Sequence, residues 1–137
     1  MTLLRTLRVL VALEIALTLV SIAVDAYFER DLPGPLREII ADQDRNAFNL
    51  TNLFLGFPLL LLLLAGWTGL WRLKPWARSV YSIASLIGFV TTPFYGPFVS
   101  HGVAHAFSEL GVTAGGMILG LIWFSSLAEY FRPPKKI

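Results

Sequence analysis

The stretch FPLLLLLLAG, residues 57–66, decides the class of fold. Its apolar residues follow one another without alternation, whereas a strand of a membrane barrel alternates between a lipid-facing and an inward-facing side. A continuous apolar run is typical of a helix in lipid, where the backbone must satisfy its own hydrogen bonds. The stretch therefore predicts an all-α integral membrane protein.

The composition of the whole chain agrees with this class. Its 137 residues are 55% hydrophobic and 15% charged, and the mean hydropathy of +0.66 exceeds that of ordinary soluble domains. Because a helical span needs about 20 apolar residues, residues 1–137 have room for a single domain of four spans. The small net charge of +2 gives no nucleic-acid face, and a chain without cysteine has no disulfide or thiolate metal site.

Long apolar runs predict four transmembrane helices, at about Leu4–Phe28, Leu50–Leu73, Trp76–Thr92 and Ala104–Phe131. Arg5 and Arg8 lie at the start of the first run, Arg72, Lys74 and Arg78 lie around the junction of the second and third, and Arg132, Lys135 and Lys136 follow the fourth. Short cytoplasmic loops carry an excess of lysine and arginine, so both termini of the four-helix bundle are predicted to be cytoplasmic. Tryptophans favour the membrane–water interface, and they lie toward the same side at positions 67, 71, 76 and 123. The expected location is a plasma membrane or an inner membrane of bacterial type.

Two connectors are predicted on the outer side. In ERDLPGPLREIIADQDRN, residues 29–46, Leu36, Ile39 and Ile40 form an apolar face that predicts a short interfacial helix. The second connector, Pro93–Ser108, has no Lys, Arg, Asp or Glu and is predicted to lie in the interface or to dip into the bilayer. The N-terminal segment shares features with a secretory signal, but Glu14 within its apolar part favours a retained helix.

A polar stripe crosses the first helix in LEIALTLVSIAVD, residues 13–25. Glu14, Thr18, Ser21 and Asp25 follow a spacing of four, three and four, which places them on one helical face. Asp25 is expected near the outer boundary, whereas Glu14 is expected deep in the hydrocarbon, where a charge costs about 2.5–3.5 kcal/mol. Glu14 therefore needs a partner, and the hydroxyls available within the chain are those of Thr68, Tyr81, Ser82 and Ser85.

Three roles fit this stripe. In the structural role, which we favour, a protonated Glu14 hydrogen-bonds a neighbouring helix and the hydroxyls bond their own backbone. In a transport role, Glu14 binds and releases a proton or cation, and Thr18, Ser21 and Asp25 line the path. In the third role, Glu14 contacts a partner subunit.

Two histidines and a carboxylate recur every four residues in SHGVAHAFSE, residues 100–109. On one helix His101, His105 and Glu109 share a face, and they form a workable ligand set for zinc or a similar metal. Asp25, Asn49 and Asn52 are predicted at the same outer level. The alternatives are interfacial histidines bonded to water or headgroups, which we favour, and a pH-sensitive contact.

Glycines recur in GVTAGGMILG, residues 111–120. Gly111 with Gly115, and Gly116 with Gly120, each form a small-xxx-small pair that lets helices approach closely in lipid. Because the pairs are offset by one residue, they cover a broad face. We expect this face to pack within the bundle, and a dimer interface is the alternative.

No catalytic residue or cofactor is assigned from the sequence. In its place on the first helix, Glu14 resembles the glutamate of small multidrug transporters, but the charged outer loop does not follow that family's pattern and no family is assigned. The sequence predicts a non-catalytic accessory or packing subunit of a homo- or hetero-oligomer in the lipid bilayer. The alternatives are a small proton- or cation-coupled transporter or channel using Glu14, and a metal-dependent outer-face enzyme using His101, His105 and Glu109.

Overall fold

The computed structural model describes residues 2–28, 33–47, 50–92 and 100–132. These residues form helices and turns without a β-strand, which confirms the all-α prediction. The helices are α1 (Leu3–Phe28), α2 (Gly34–Ala47), α3 (Leu50–Trp71), α4 (Ala77–Thr91) and α5 (Gly102–Phe124), and a 3₁₀ helix follows at Ser126–Phe131.

α1, α3 and α4 lie at the helices predicted from the first three apolar runs, whereas α5 is shorter than the fourth run. α5 ends at Phe124, and Ser125 adopts an extended backbone with φ −108° and ψ 174°. The Ser125 hydroxyl accepts a hydrogen bond from the Leu127 amide and thereby caps the 3₁₀ helix. This turn buries Leu127 and Phe131 in the core, so packing redirects the chain where hydropathy alone predicted a continuous helix.

A short turn joins α3 to α4 and makes them close antiparallel neighbours. Leu73 adopts a positive φ of 53°, and the Lys74 amide donates to the Gly69 carbonyl at 2.9 Å. A Cβ at Gly69 would lie 2.6 Å from the Ala77 Cβ, closer than such atoms approach in proteins. The close crossing of α3 and α4 therefore requires glycine at position 69.

The four long helices contact one another in pairs. α1 packs along α5 and α3 packs along α4, and smaller contacts join α1 to α3 and α4 to α5. α1 and α5 are antiparallel, because the contact of Glu14 with Gly115 is followed along α1 by the hydrogen bond of Ser21 to the carbonyl of Ala104, which lies earlier in α5. The buried core comprises Leu7, Val11, Trp67, Leu70, Ala77, Tyr81, Ile118, Ile122, Leu127 and Phe131.

Two described helices, α1 and α5, are long and apolar enough to cross a membrane. Within the most apolar part of each, only 11% of α1 and 22% of α5 is buried inside the protein. A helix from the core of a soluble protein is mostly buried, whereas these helices leave large apolar side chains uncovered. The apolar helices α3 and α4 also leave large apolar side chains uncovered, for example Leu60 of α3 and Phe89 of α4.

The connector between α1 and α3 contains a helix, α2, where a short helix was predicted. Its location at a membrane surface stays a prediction. Asn49, the side chain of Asn52, and residues 93–99 of the second connector lie outside the described residues.

Candidate functional site

Glu14 lies where α1, α3, α4 and α5 meet. Its Oε2 accepts a hydrogen bond of 2.8 Å from Nε1 of Trp67 on α3. The hydroxyl of Tyr81 on α4 donates to the same carboxylate and lies 2.8 Å from Oε1 and 2.9 Å from Oε2. A Cβ at Gly115 of α5 would lie 2.9 Å from Oε1 and 3.1 Å from the Tyr81 hydroxyl. The carboxyl group thus connects α1 to two helices and rests against the backbone of a third.

The protein itself supplies the hydrogen bonds that this carboxyl group needs. Tyr81 is completely buried and Glu14 is partly buried. An indole N–H can only donate, so the Glu14 oxygen that faces Trp67 acts as an acceptor. Because a buried polar group without a partner is costly, two donors from two neighbouring helices offset much of the penalty of placing Glu14 here.

Of the hydroxyls considered as partners from the sequence, Tyr81 makes the contact and the other three do not. Thr68, Ser82 and Ser85 donate instead to backbone carbonyls of their own helices. Trp67 was missed, since its indole was assigned to the membrane interface. A signal was present, because Trp67 lies one helical turn deeper in α3 than Trp71.

The rest of the polar stripe faces α5. The Thr18 hydroxyl donates to the Glu14 carbonyl at 2.8 Å, within α1. The Ser21 hydroxyl donates across to the Ala104 carbonyl at 3.0 Å. Asp25 accepts from the His101 amide at 2.9 Å and from the Ser100 hydroxyl at 3.1 Å. Ser21 and Asp25 therefore fasten the C-terminal part of α1 to the start of α5.

The residues predicted as metal ligands are engaged in separate contacts. The ring of His101 stacks on Phe28 with centroids 4.4 Å apart, and its Nδ1 accepts from the Val103 amide. His105 and Glu109 approach each other to 3.9 Å, and their side chains are 65% and 66% exposed. In the part of the chain that the structure describes, no three His, Cys, Asp or Glu side chains could together hold a metal ion. The metal hypothesis for His101, His105 and Glu109 thus gains no geometric support, because His101 is committed to the start of α5.

The two glycine pairs of α5 face different surroundings. Gly111 and Gly115 lie against α1, where a Cβ at Gly111 would be 3.7 Å from the Leu17 Cβ. Gly116 and Gly120 have no atom within 4 Å of the position that a Cβ would take. The first pair packs inside the protein, and the second lies on its outer surface.

Cations stack on indoles at the opposite end of the helices from Asp25. The Arg78 guanidinium lies 4.1 Å from the Trp123 ring centroid, and Trp123 donates to the Ser82 hydroxyl at 2.8 Å. Arg8 lies 5.9 Å from the Trp71 ring centroid. Amphipathic indoles next to cations are typical of a membrane–water boundary.

No protein-family model, curated protein or solved structure matches this chain. The chemistry of the site is therefore judged from its geometry. The Glu14 carboxyl group, the Trp67 indole and the Tyr81 hydroxyl can hold helices together, and the carboxyl group can also bind a proton.

Proposed function

We propose that this protein is a four-helix transmembrane protein that acts as a non-catalytic accessory or packing subunit of a membrane oligomer. Support for the membrane setting comes from the large apolar side chains that all four long helices leave uncovered. A helix that exposes its apolar face to water gains nothing from that surface, whereas the same face is favourable in hydrocarbon.

The placement of cationic residues supports the proposed orientation. Arg8, Trp71, Arg78 and Trp123 come together at one end of the helices, through the two cation–indole contacts. Cationic residues are enriched on the cytoplasmic side, so this end and both chain termini are assigned to the cytoplasm. The opposite end, with Asp25 and the start of α5, then faces outward.

The observation that carries the proposal is that the polar groups of the stripe make hydrogen bonds to partners within the chain. A proton or cation relay needs polar groups that exchange partners along a path. Here Glu14 is held by Trp67 and Tyr81, and the hydroxyls of Thr18 and Ser21 bond backbone carbonyls. Groups with these partners act as contacts between and within helices, which supports a packing role over transport.

The mass of the intact assembly tests this proposal. The protein is extracted from its membrane in lipid nanodiscs and weighed by native mass spectrometry. We expect a defined complex of more than one chain. A monodisperse monomer across lipid compositions would contradict the proposal.

A proton- or cation-coupled carrier that uses Glu14 is the second candidate. The observation in its favour is that Glu14 keeps some exposed surface, while Tyr81 beside it is completely buried. Proton and cation flux is measured in proteoliposomes with the natural chain, with Glu14→Gln, and with Glu129→Gln as the control at an exposed position of the 3₁₀ helix. We expect no flux that depends on Glu14. Flux that Glu14→Gln abolishes and Glu129→Gln preserves would replace the packing proposal.

A further inference from the structure

One face of α5 is polar and small, and nothing in the described chain covers it. It consists of residues at helical spacing whose side chains or glycine Cα atoms point outward, namely His105, Glu109, Thr113, Gly116 and Gly120. The side chains of His105 and Glu109 are 65% and 66% exposed. Gly116 and Gly120 meet no atom within 4 Å of an added Cβ. We call these five residues the outer α5 face.

Glu109 of this face lies at a level where the exposed side chains of α1 and α4 are apolar. Gly115 is level with Tyr81, because a Cβ there would lie 3.1 Å from the Tyr81 hydroxyl. Along the helix axes, at about 1.5 Å per residue, Glu109 and His105 lie about 9 Å and 15 Å from that level toward the end of the helices that contains Asp25. Phe89 lies about 12 Å from it in the same direction. Phe89 is 79% exposed.

The same height on α1 is apolar as well. The hydrogen bond from Ser21 to the Ala104 carbonyl places Ile22 beside the first turn of α5. Ile22 is 63% exposed. In the proposed membrane setting, Glu109 is therefore surrounded by hydrocarbon unless another protein covers it, and His105 lies near the outer boundary, at about the height of Asp25. Ionisable side chains at this depth face protein or water rather than lipid.

We propose that the outer α5 face binds a second copy of this chain, with the two α5 helices parallel about a two-fold axis along the membrane normal. This inference rests on the proposed function and names the partner in the oligomer. It gives Glu109 a protein environment in place of lipid.

The second copy is favoured because the face is complementary to itself. In a parallel pair, identical residues lie at the same height, so each imidazole is offset by one helical turn, about 6 Å along the axis, from the carboxylate on the other helix. The two side chains meet by extending toward each other along the axis. The two-fold axis forms this contact twice. Further inward, Gly116 and Gly120 let the two backbones approach where the helices cross, and the longer polar side chains occupy the space where the helices diverge.

Disulfide cross-linking in native membranes tests this contact, because the chain has no cysteine of its own. Thr113→Cys places a thiol on the outer α5 face, and Val112→Cys places one at its edge. Leu19→Cys on α1 and Leu86→Cys on α4 are matched controls, since the natural side chains are 61% and 63% exposed. We expect oxidation to yield roughly tenfold more dimer at positions 112 and 113 than at the controls. Equal or greater cross-linking at the controls would overturn the proposal.

Filling the face gives a second test in which the monomer keeps its fold. Gly116→Leu enters open space, and Ala16→Leu on the exposed face of α1 is the matched control. Dimerisation is followed by energy transfer between labelled chains in liposomes as the lipid-to-protein ratio is raised. We expect Gly116→Leu to weaken association roughly tenfold and Ala16→Leu to leave it unchanged. Association that is equal in the two variants would contradict the proposal.

These results are distinguishable from a failure of the proposed function. If native mass spectrometry shows a complex and positions 112 and 113 do not cross-link, the packing function stands and the self-contact through α5 is wrong. If the intact protein is a monomer in every lipid composition, both proposals are wrong.

Discussion

A single methyl group added at Gly115 tests the junction around Glu14. In Gly115→Ala the new Cβ lies 2.9 Å from Glu14 Oε1 and 3.1 Å from the Tyr81 hydroxyl, so the carboxyl group or the helix must move. Gly116→Ala is the matched control, because it makes the same chemical change at the next residue, where nothing lies within 4 Å.

The expected effect follows from two opposing terms. Replacing glycine by alanine within a helix stabilises it by about 1 kcal/mol, and this gain is common to both variants. Overpacking at a tight contact costs about 1–3 kcal/mol and applies to Gly115→Ala alone. The atom that must shift is a terminal oxygen of Glu14, whose movement is opposed by its hydrogen bonds to Trp67 and Tyr81, so the low end of this range applies. We therefore expect Gly115→Ala to be less stable than Gly116→Ala by about 1 kcal/mol in the free energy of unfolding.

Reversible unfolding in mixed micelles, followed by tryptophan fluorescence, measures this difference. The same measurement on Glu14→Ala and on Glu14→Ala with Gly115→Ala completes a double-mutant cycle. Once the Glu14 carboxyl group is absent, the added methyl group has room, so the penalty of Gly115→Ala should disappear. If Gly115→Ala and Gly116→Ala unfold with free energies within about 0.5 kcal/mol of each other, the close contact between Gly115 and Glu14 is refuted.

Three further predictions concern the same helices. Tyr81→Phe removes one donor to Glu14 and should lower the free energy of unfolding by about 1–3 kcal/mol; an unchanged value would contradict the junction. Asp25→Ala leaves the His101 amide without its acceptor and should cost about 1 kcal/mol, with faster amide exchange at the start of α5, whereas Asp25→Asn retains an acceptor and should lose less. In sealed cells Thr2→Cys should resist a membrane-impermeant thiol reagent until the membrane is opened, and labelling of intact cells would refute a cytoplasmic N-terminus.

Hydropathy predicts where these helices lie but not how the last one ends. An apolar run is enough to predict a helix because its backbone satisfies its own hydrogen bonds in any apolar environment. The end of α5 depends on a local competition in which the Ser125 hydroxyl bonds the Leu127 amide. That exchange is favourable because the turn brings Leu127 and Phe131 into the core, and burial of this kind is a tertiary effect.

The polar stripe was predictable for a related reason, whereas its partners were not. Spacing alone puts Glu14 and Ser21 on one face of α1, since the helical period needs no knowledge of the neighbours. The bonds to Trp67 and Tyr81 depend on how far α3 and α4 slide along α1, and apolar surfaces leave that register open. The side chain of Trp67 also suits both an interface and a buried donor, so its type does not choose between the two positions.

The carboxylates of α1 show why a polar residue in an apolar helix is not by itself a sign of transport. Asp25 lies at the C-terminal end of α1 and accepts hydrogen bonds from the two residues before α5, where a negative charge also favours the helix N-terminus. Glu14 lies deeper and is held by donors from α3 and α4. Each acid thus joins α1 to other elements at a height where apolar contacts alone would leave the register of the helices undefined.

The offset of the α5 glycines places one pair at the contact with α1 and the other on the face proposed to bind a second chain. Successive residues of a helix are turned by about 100°, so Gly115 and Gly116 cannot serve the same contact. Gly115 admits the Glu14 carboxyl group on the inner side, whereas Gly116 faces outward below the exposed Glu109. Glycine destabilises a helix relative to alanine, and this cost is offset where another helix packs closely against it. On the inner face of α5, Gly111 and Gly115 allow such a close contact with α1. Close packing of a second α5 helix would offset the cost of Gly116 and Gly120 in the same way. The glycines of this uncovered face therefore support the proposal that two copies of the chain associate through it.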